Sequence, residues 1–315
     1  MICPKCRKSQ PSSDECISCG IIIRKYKQKA LNSSGSVPET SDTPSIPRET
    51  LKEKDGFWIK FKRFRIAILL LTLLIVAVNA YWIDSRFSKW ERTLNVVIYP
   101  INADNSSEVE EYIDSLEKTD FAPIENFMRE EAALCDLILK KPVAIHLAPE
   151  IIEMPPPLPK VKTTRAAIIW SLKMRYWSWQ TDTYDGPKDV KIYVLYQTFR
   201  NEKAREISAG LQKGKIGLVQ ASATDKIINH TFLVIAHEML HTFGATDKYD
   251  YETLLPIYPH GFAEPDQQPR YPQRMAEIMA GIIPVSKTKM KKPTNLNKVT
   301  LGRKTCIEIG WLDEE

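Results

Sequence analysis

The sequence predicts an α+β fold, a mixed sheet with helices over the last two thirds of the chain, behind a short cysteine-bearing module and one long apolar helix. Three observations predict it. Strand-like and helix-like segments alternate from residue 94 to residue 243, as layered sheet and helix do. Two CxxC pairs fall within the first 20 residues, and residues 66–83 carry no charge at all. The 315 residues suggest about two domains. A chain 43% apolar and 26% charged is not disordered throughout. A mean hydropathy of −0.29 excludes a polytopic membrane protein. Charge is uneven: residues 1–65 hold 14 Lys/Arg against 7 Asp/Glu, whereas residues 84–315 hold 30 against 32. The large part therefore has no bulk basic signature of nucleic-acid binding.

Residues 1–28 form the first element. Cys3 and Cys6, then Cys16 and Cys19, can each make a tight turn whose backbone N–H groups point at sulfur. Together they supply four thiolates for one tetrahedral ion, with Zn–S of about 2.3 Å. So short a stretch builds no core, and the metal would supply its folding energy. The pattern resembles a short zinc ribbon, which implies a structural zinc on those four cysteines. Arg24, Lys25, Lys27 and Lys29 follow, suited to an anionic partner or simply to a solvated linker. Residues 29–63 read as a flexible linker, Ser/Pro-rich over 32–50.

Residues 64–83 read as a transmembrane helix. The uncharged run from Ile66 to Ile83 would be about 27 Å long, near a hydrocarbon core of about 30 Å. Tyr81 and Trp82 would sit at the headgroups. Six Lys/Arg in residues 50–65 against three in 84–99 put the N-terminus in the cytoplasm and residues 84–315 outside. Membrane lipid, a cytoplasmic partner of the cysteine module and a peptide or protein substrate outside the cytoplasm are the partners this layout implies.

In the large domain, Leu94–Tyr99 is strand-like and 107–118 and 121–140 are helix-like. Val143–Leu147 is a strand, and the proline run 154–159 a stiff extended loop. Thr164–Trp177 is helical; Val190–Tyr196 and Ile216–Ala221 are strands. Ile227–Phe243 is a helix apolar on nearly every side, with Asp225 or Asn229 as N-cap. It carries His237-Glu238-Met239-Leu240-His241, the pattern HExxH. On a helix, positions i and i+4 share one face about 6 Å apart, so both imidazoles can bind one zinc. Glu238 then serves as general base toward a zinc-bound water that attacks a carbonyl.

The run continues Thr242-Phe243-Gly244-Ala245-Thr246-Asp247. It resembles the metzincin metallopeptidases, in the HExxHxxGxxD form of the snapalysin-like branch. The resemblance covers about 45 residues specifically. It implies that Gly244 ends the helix so that Asp247 swings back as third ligand beside His237 and His241. It also implies that Ala276-Glu277-Ile278-Met279-Ala280-Gly281 is the methionine turn beneath the metal, with Met279 at its centre. It further implies that Ile216–Ala221 is the edge strand that pairs with substrate. The chain lacks the Tyr that some metzincins carry two residues beyond that Met. Glu264, Glu277 and His260 compete as third ligand, but Pro256, Pro259, Pro265 and Pro269 make the segment around Glu264 a poor helix. Tyr249 and Asp250 stand close enough in sequence to orient Asp247.

Of the other residues, His230 reads as a hydrogen-bonding group at the helix start and His146 as a structural strand residue. Trp170, Tyr176, Trp177, Trp179 and Tyr184 read as core packing. Cys135 and Cys306 either pair or lie apart as buried thiols. The whole reads as a membrane-anchored zinc endopeptidase with one catalytic and one structural zinc. The alternative is a non-catalytic receptor or scaffold that works through its zinc ribbon.

Overall fold

Continuous apolar runs such as Val96–Ile101 and Ile192–Leu195 cannot present a wet face, and each becomes an inner strand covered on both sides. The structure, a computed structural model, describes residues 1–31, 61–74, 90–159, 163–198, 209–211 and 215–314. The chain divides into two units, Met1–Thr72 and Leu73–Glu315.

The larger unit is a mixed α/β structure. Its strands are β1 (Leu94–Asn102), β2 (Val143–Leu147), β3 (Val190–Gln197), β4 (Ala209–Leu211) and β5 (Ile216–Ser222), in the spatial order β2-β1-β3-β5-β4. Four are parallel, and β4 runs antiparallel along β5. This corrects one expectation in part: β5 is not the outermost strand of the sheet. It pairs with β3 on one side and, over Ile216–Leu218, with β4 on the other.

Alternate side chains leave the sheet on opposite faces. Val96, Ile98, Ile192 and Val194 join Ile124, Phe127 and Met128 of α4 (Ala122–Leu134) and Ile235, Ala236 and Met239 of α6 (Ile228–Phe243). Val97, Tyr99, Ile101 and Tyr193 meet Trp170 and Met174 of α5 (Thr164–Gln180) on the other face. Of the expected aromatic core, Trp170 and Trp177 pack inward, whereas Tyr176 and Trp179 are 64% and 74% exposed.

Two helices stop earlier than their sequences suggest. The stretch 107–118 yields α3 (Ser107–Asp114), capped where Ser106 Oγ accepts from Val109 N. Helix α4 ends at Leu134 rather than running to 140. Asp136 takes a positive φ of 57° and Leu137 N turns back to Ala132 O, so Ile138 is 97% exposed. Helix α6 begins without a side-chain cap, because a 3₁₀ turn over Asp225–Ile227 feeds it and Ile228 N donates to Asp225 O. Asp225 and Asn229 are therefore not its N-cap.

After α6 the chain is mostly loop, with β6 (Ala276–Glu277) parallel to β9 (Val299–Thr300), the pair β7 (Ile283–Pro284) and β8 (Met290–Lys291), and α7 (Arg303–Glu308). Two buried carboxylates hold it. Glu131 accepts from Leu301 N at 2.7 Å and Thr300 Oγ1 at 2.8 Å. Glu277 accepts from Ala280 N, Gly302 N and Thr305 Oγ1. Burial of this depth needs such partners. Cys135 and Cys306 are joined as a disulfide, Cα to Cα 6.4 Å. Trp90 Nε1 donates to Ile309 O at 2.6 Å.

In the smaller unit, antiparallel bridges Ile2–Ser9 and Glu15–Ile22 frame two turns, and α1 (Ile23–Leu31) follows. A second helix, α2, covers residues 61–74. Here the membrane reading is corrected. Among the described residues no helix is long and apolar enough to cross a membrane. The described part of α2 has 14 residues, about 21 Å by helical rise, and Lys62, Arg63 and Arg65 fall in its first two turns. Residues 75–83 of the expected span, and most of the expected linker, lie outside the described residues. The single-pass topology, and the assignment of the two ends to opposite sides of a membrane, falls with it.

Candidate functional site

Helix α6 sets the first two donors. Its four-residue spacing places His237 and His241 on one face, ring centroids 4.7 Å apart and nearly perpendicular. Each ring is fixed from behind by a backbone carbonyl: His237 Nδ1 donates to Ile278 O at 3.0 Å, and His241 Nδ1 to Ala245 O at 2.9 Å. A carbonyl can only accept, so each Nδ1 carries a proton, and in the neutral ring Nε2 is the nitrogen with a free lone pair.

Gly244 makes the third donor possible. Its φ of 126° reverses the chain at the end of α6, in a region glycine enters without a Cβ clash. Three residues on, Asp247 returns over the helix, with Oδ1 3.5 Å from His237 Nε2 and 3.2 Å from His241 Nε2. Tyr251 OH donates to Asp247 Oδ2 at 2.9 Å. Asp247 Oδ1 is itself buried and accepts no hydrogen bond.

Proton affinities show the same convergence. Burial disfavours the His237 cation, but the Asp247 carboxylate in front of it, aided by Glu238 and the Ile278 carbonyl, outweighs burial and raises its pKa. Burial pulls Asp247 upward, yet the two imidazoles and Tyr251 hold it well below the usual carboxylate range. Two lone pairs and a carboxylate oxygen thus face one point that calls for a cation. Their separations match the edge of a tetrahedron with bonds of about 2.0 Å, which is about 3.3 Å.

Glu238 lies beside this point. Its carboxylate and the two imidazoles offer donor atoms all within 4.8 Å of one another. It is buried, and its Oε2 has no hydrogen-bond partner. Burial first, and the Asp247 charge, raise its pKa against the pull of the two histidines.

Around Ile278, the partner of the His237 ring, Glu277 O accepts from Ala280 N and Gly281 N, and Gly281 takes a φ of 67°, closing a tight turn. Met279 at its centre is fully buried. Its carbonyl accepts from Lys248 N at 3.0 Å, next to Asp247. A cavity of about 190 Å³ opens from His237 between Val234 and Pro293. A larger one of about 600 Å³ continues along α6 past His230 toward Gln220 and Asn295.

The competing ligands lie elsewhere. Glu277 is fully engaged with the C-terminal segment. His260 is exposed. Glu264 sits in an irregular loop bonded through its backbone to Gln273. Asp250 does not orient Asp247; its Oδ1 instead accepts from Glu252 N and Thr253 N in a local turn. Tyr251, Ile278 and Ala245 are the orienting groups that sequence reasoning misses. Two of them act through backbone carbonyls and leave no side-chain signal. His146 is a strand residue bonded to Asn95 Oδ1 at 3.0 Å.

In the smaller unit the four cysteines converge, their sulfurs all within 4.8 Å of one another. Cys3 and Cys19, and Cys6 and Cys16, stand 3.7 Å apart. A zinc tetrathiolate has an edge of about 3.8 Å by its bond length. The Cys6 backbone N–H leads the groups that bring the Cys3 thiol down to about 6, whereas burial pushes Cys19 up to about 12. Both sites can hold a metal ion, and both donor sets are compatible with zinc. Neither a scan against protein-family models nor a search of curated proteins finds a match for this chain.

Proposed function

We propose that the unit Leu73–Glu315 is a zinc-dependent endopeptidase of the metzincin type. The observation that carries this reading is the meeting of His237 Nε2 and His241 Nε2 with Asp247 Oδ1, which lies 3.5 Å from the first and 3.2 Å from the second. Two imidazoles and one carboxylate are the donor set of a catalytic zinc that keeps a position open. When bound, the ion supplies Lewis acidity toward a carbonyl oxygen and acidifies a neighbouring water.

The chain's own residues do the rest. Glu238, buried and raised in pKa, takes a proton from the attacking water and returns it to the leaving amine. Ile278 and Ala245 hold both rings in the tautomer that leaves Nε2 free. The turn at Met279 supports the site through Ile278, and the groove along α6 offers room for a substrate side chain beside His237. The chain turn at Gly244 and the buried Met279 support the likeness to metzincins. In the smaller unit, Cys3, Cys6, Cys16 and Cys19 would hold a structural zinc that replaces a core.

The test is digestion of an unfolded protein by the purified full chain, with and without a chelator, alongside Glu238→Gln. Cleavage that needs both metal and Glu238 supports the peptidase. Absence of cleavage at any metal loading rejects it in favour of a non-catalytic scaffold.

A further inference from the structure

The loop from Gly244 to Lys248 has no helix or strand to hold it, yet it must deliver a short aspartate side chain to within a few tenths of an ångström. An aspartate has only two rotatable bonds, so its reach is decided by its backbone. The two residues that flank Asp247 are both seized by one carboxylate. Glu308 Oε2 accepts from Thr246 N at 2.8 Å and from Lys248 Nζ at 2.6 Å, and Glu308 Oε1 accepts from Thr246 Oγ1 at 2.9 Å. Lys248 Nζ also donates to Thr246 O at 2.7 Å and Thr246 Oγ1 at 2.9 Å. Lys248 is only 5% exposed, an unusual place for a lysine unless its charge is matched.

The anchor is itself fixed. Glu308 lies in α7, whose Cys306 is bonded to Cys135 at the end of α4 and whose Thr305 donates to Glu277. The backbone at Lys248 is pinned on both sides, N–H to Met279 O and C=O from Ile257 N. Thr246 and Lys248 are thus tied on either side of Asp247, whose side chain faces the imidazoles.

We propose that Glu308, through Lys248 and Thr246, is a positioning residue for Asp247. It sets the affinity of the His237–His241–Asp247 site for its metal without touching that metal. The inference rests on the metal reading given above. Partners one step removed from a ligand typically change metal affinity by about 10- to 100-fold.

The experiment titrates metal-free full chain with Co2+, then displaces it with Zn2+. Thiolate charge-transfer bands mark the cysteine site and are absent from the histidine site, so the two sites are read separately. Glu308→Gln should weaken the histidine site by about 10-fold or more and leave the cysteine site unchanged. Thr246→Val removes one anchor from an exposed position and should weaken it by about threefold, which covers a poorly folded Glu308 variant. Glu308→Gln that lowers the melting temperature of metal-free protein while leaving histidine-site affinity intact would make the clamp purely structural and overturn the proposal. Asp247→Ala runs in parallel. If it too keeps full affinity, the metal reading itself fails rather than the role of Glu308.

Discussion

His237 and Ile278 are joined by a 3.0 Å hydrogen bond across 41 residues, from an imidazole Nδ1 on α6 to the carbonyl next to Met279. This bond ties the helix that carries HExxH to the tight turn around Ile278 and decides which ring nitrogen is free. Because the partner is a backbone oxygen, no substitution at 278 short of one that moves the turn can remove it.

Glu238→Gln keeps the shape of the side chain but cannot accept a proton. We expect full metal content and a loss of at least about 100-fold in the rate of peptide hydrolysis, the usual scale for a general base. Metal analysis beside a fluorogenic peptide assay measures both. A near-normal rate would remove Glu238 from the mechanism.

Asp247→Ala should strip metal from the histidine site and abolish hydrolysis, since it removes the oxygen that faces both Nε2 atoms. Glu264→Ala should change neither, because Glu264 is no part of the convergent set. Metal stoichiometry of the two variants decides the matter; the opposite pattern would overturn the ligand assignment.

Asp182 governs acid stability on the α5 face. Burial opposes its charge, but Lys188, Lys191 and Tyr99 OH, each 2.7 Å away, outweigh burial and hold its pKa well below the usual range. A carboxylate lowered in the folded state stabilises above its unfolded pKa of about 3.9, and that contribution drains away as pH falls toward the folded value. Asp182→Asn should cost about 1–3 kcal/mol at pH 7 and less as pH falls below about 4. Urea unfolding at both pH values measures it, and an equal loss at each would contradict the linkage.

The Cys135–Cys306 bond closes a span of 171 residues. A loop that long confines the unfolded chain strongly, so replacing both cysteines by serine should lower stability by up to about 5 kcal/mol. The check is thermal unfolding of the double variant against the oxidised parent. An unchanged midpoint would show that α7 is held by its buried carboxylates alone.

Much of the frame was legible because its physics is local. Val143–Leu147 and Val190–Tyr196 are apolar at nearly every position, and only strands covered on both faces tolerate that. The two histidines of α6 and the four cysteines announce themselves by spacing. Other features depend on groups without a side-chain signature: the Ile278 and Ala245 carbonyls, the positive φ at Asp136 that cuts α4 short, and the pairing of β4 that takes β5 off the sheet edge. Periodicity shows neither Tyr251, which loop geometry brings to Asp247, nor Glu308, which reaches Thr246 and Lys248 from α7. The apolar run 66–83 misled in the other direction. Composition alone suggested a span, while the helix actually described starts among cations at 62–65 and covers only half of that run.

The bond from Trp90 to Ile309 spans 219 residues, and those from Thr300 and Leu301 to Glu131 span 169 and 170. These ties join nearly the two extremes of the larger unit. With a sheet whose three parallel pairings each need a crossover, they give the domain a high contact order. Such a chain must close very large loops before its native pairings hold, so it reaches the native state slowly, in milliseconds to seconds rather than microseconds.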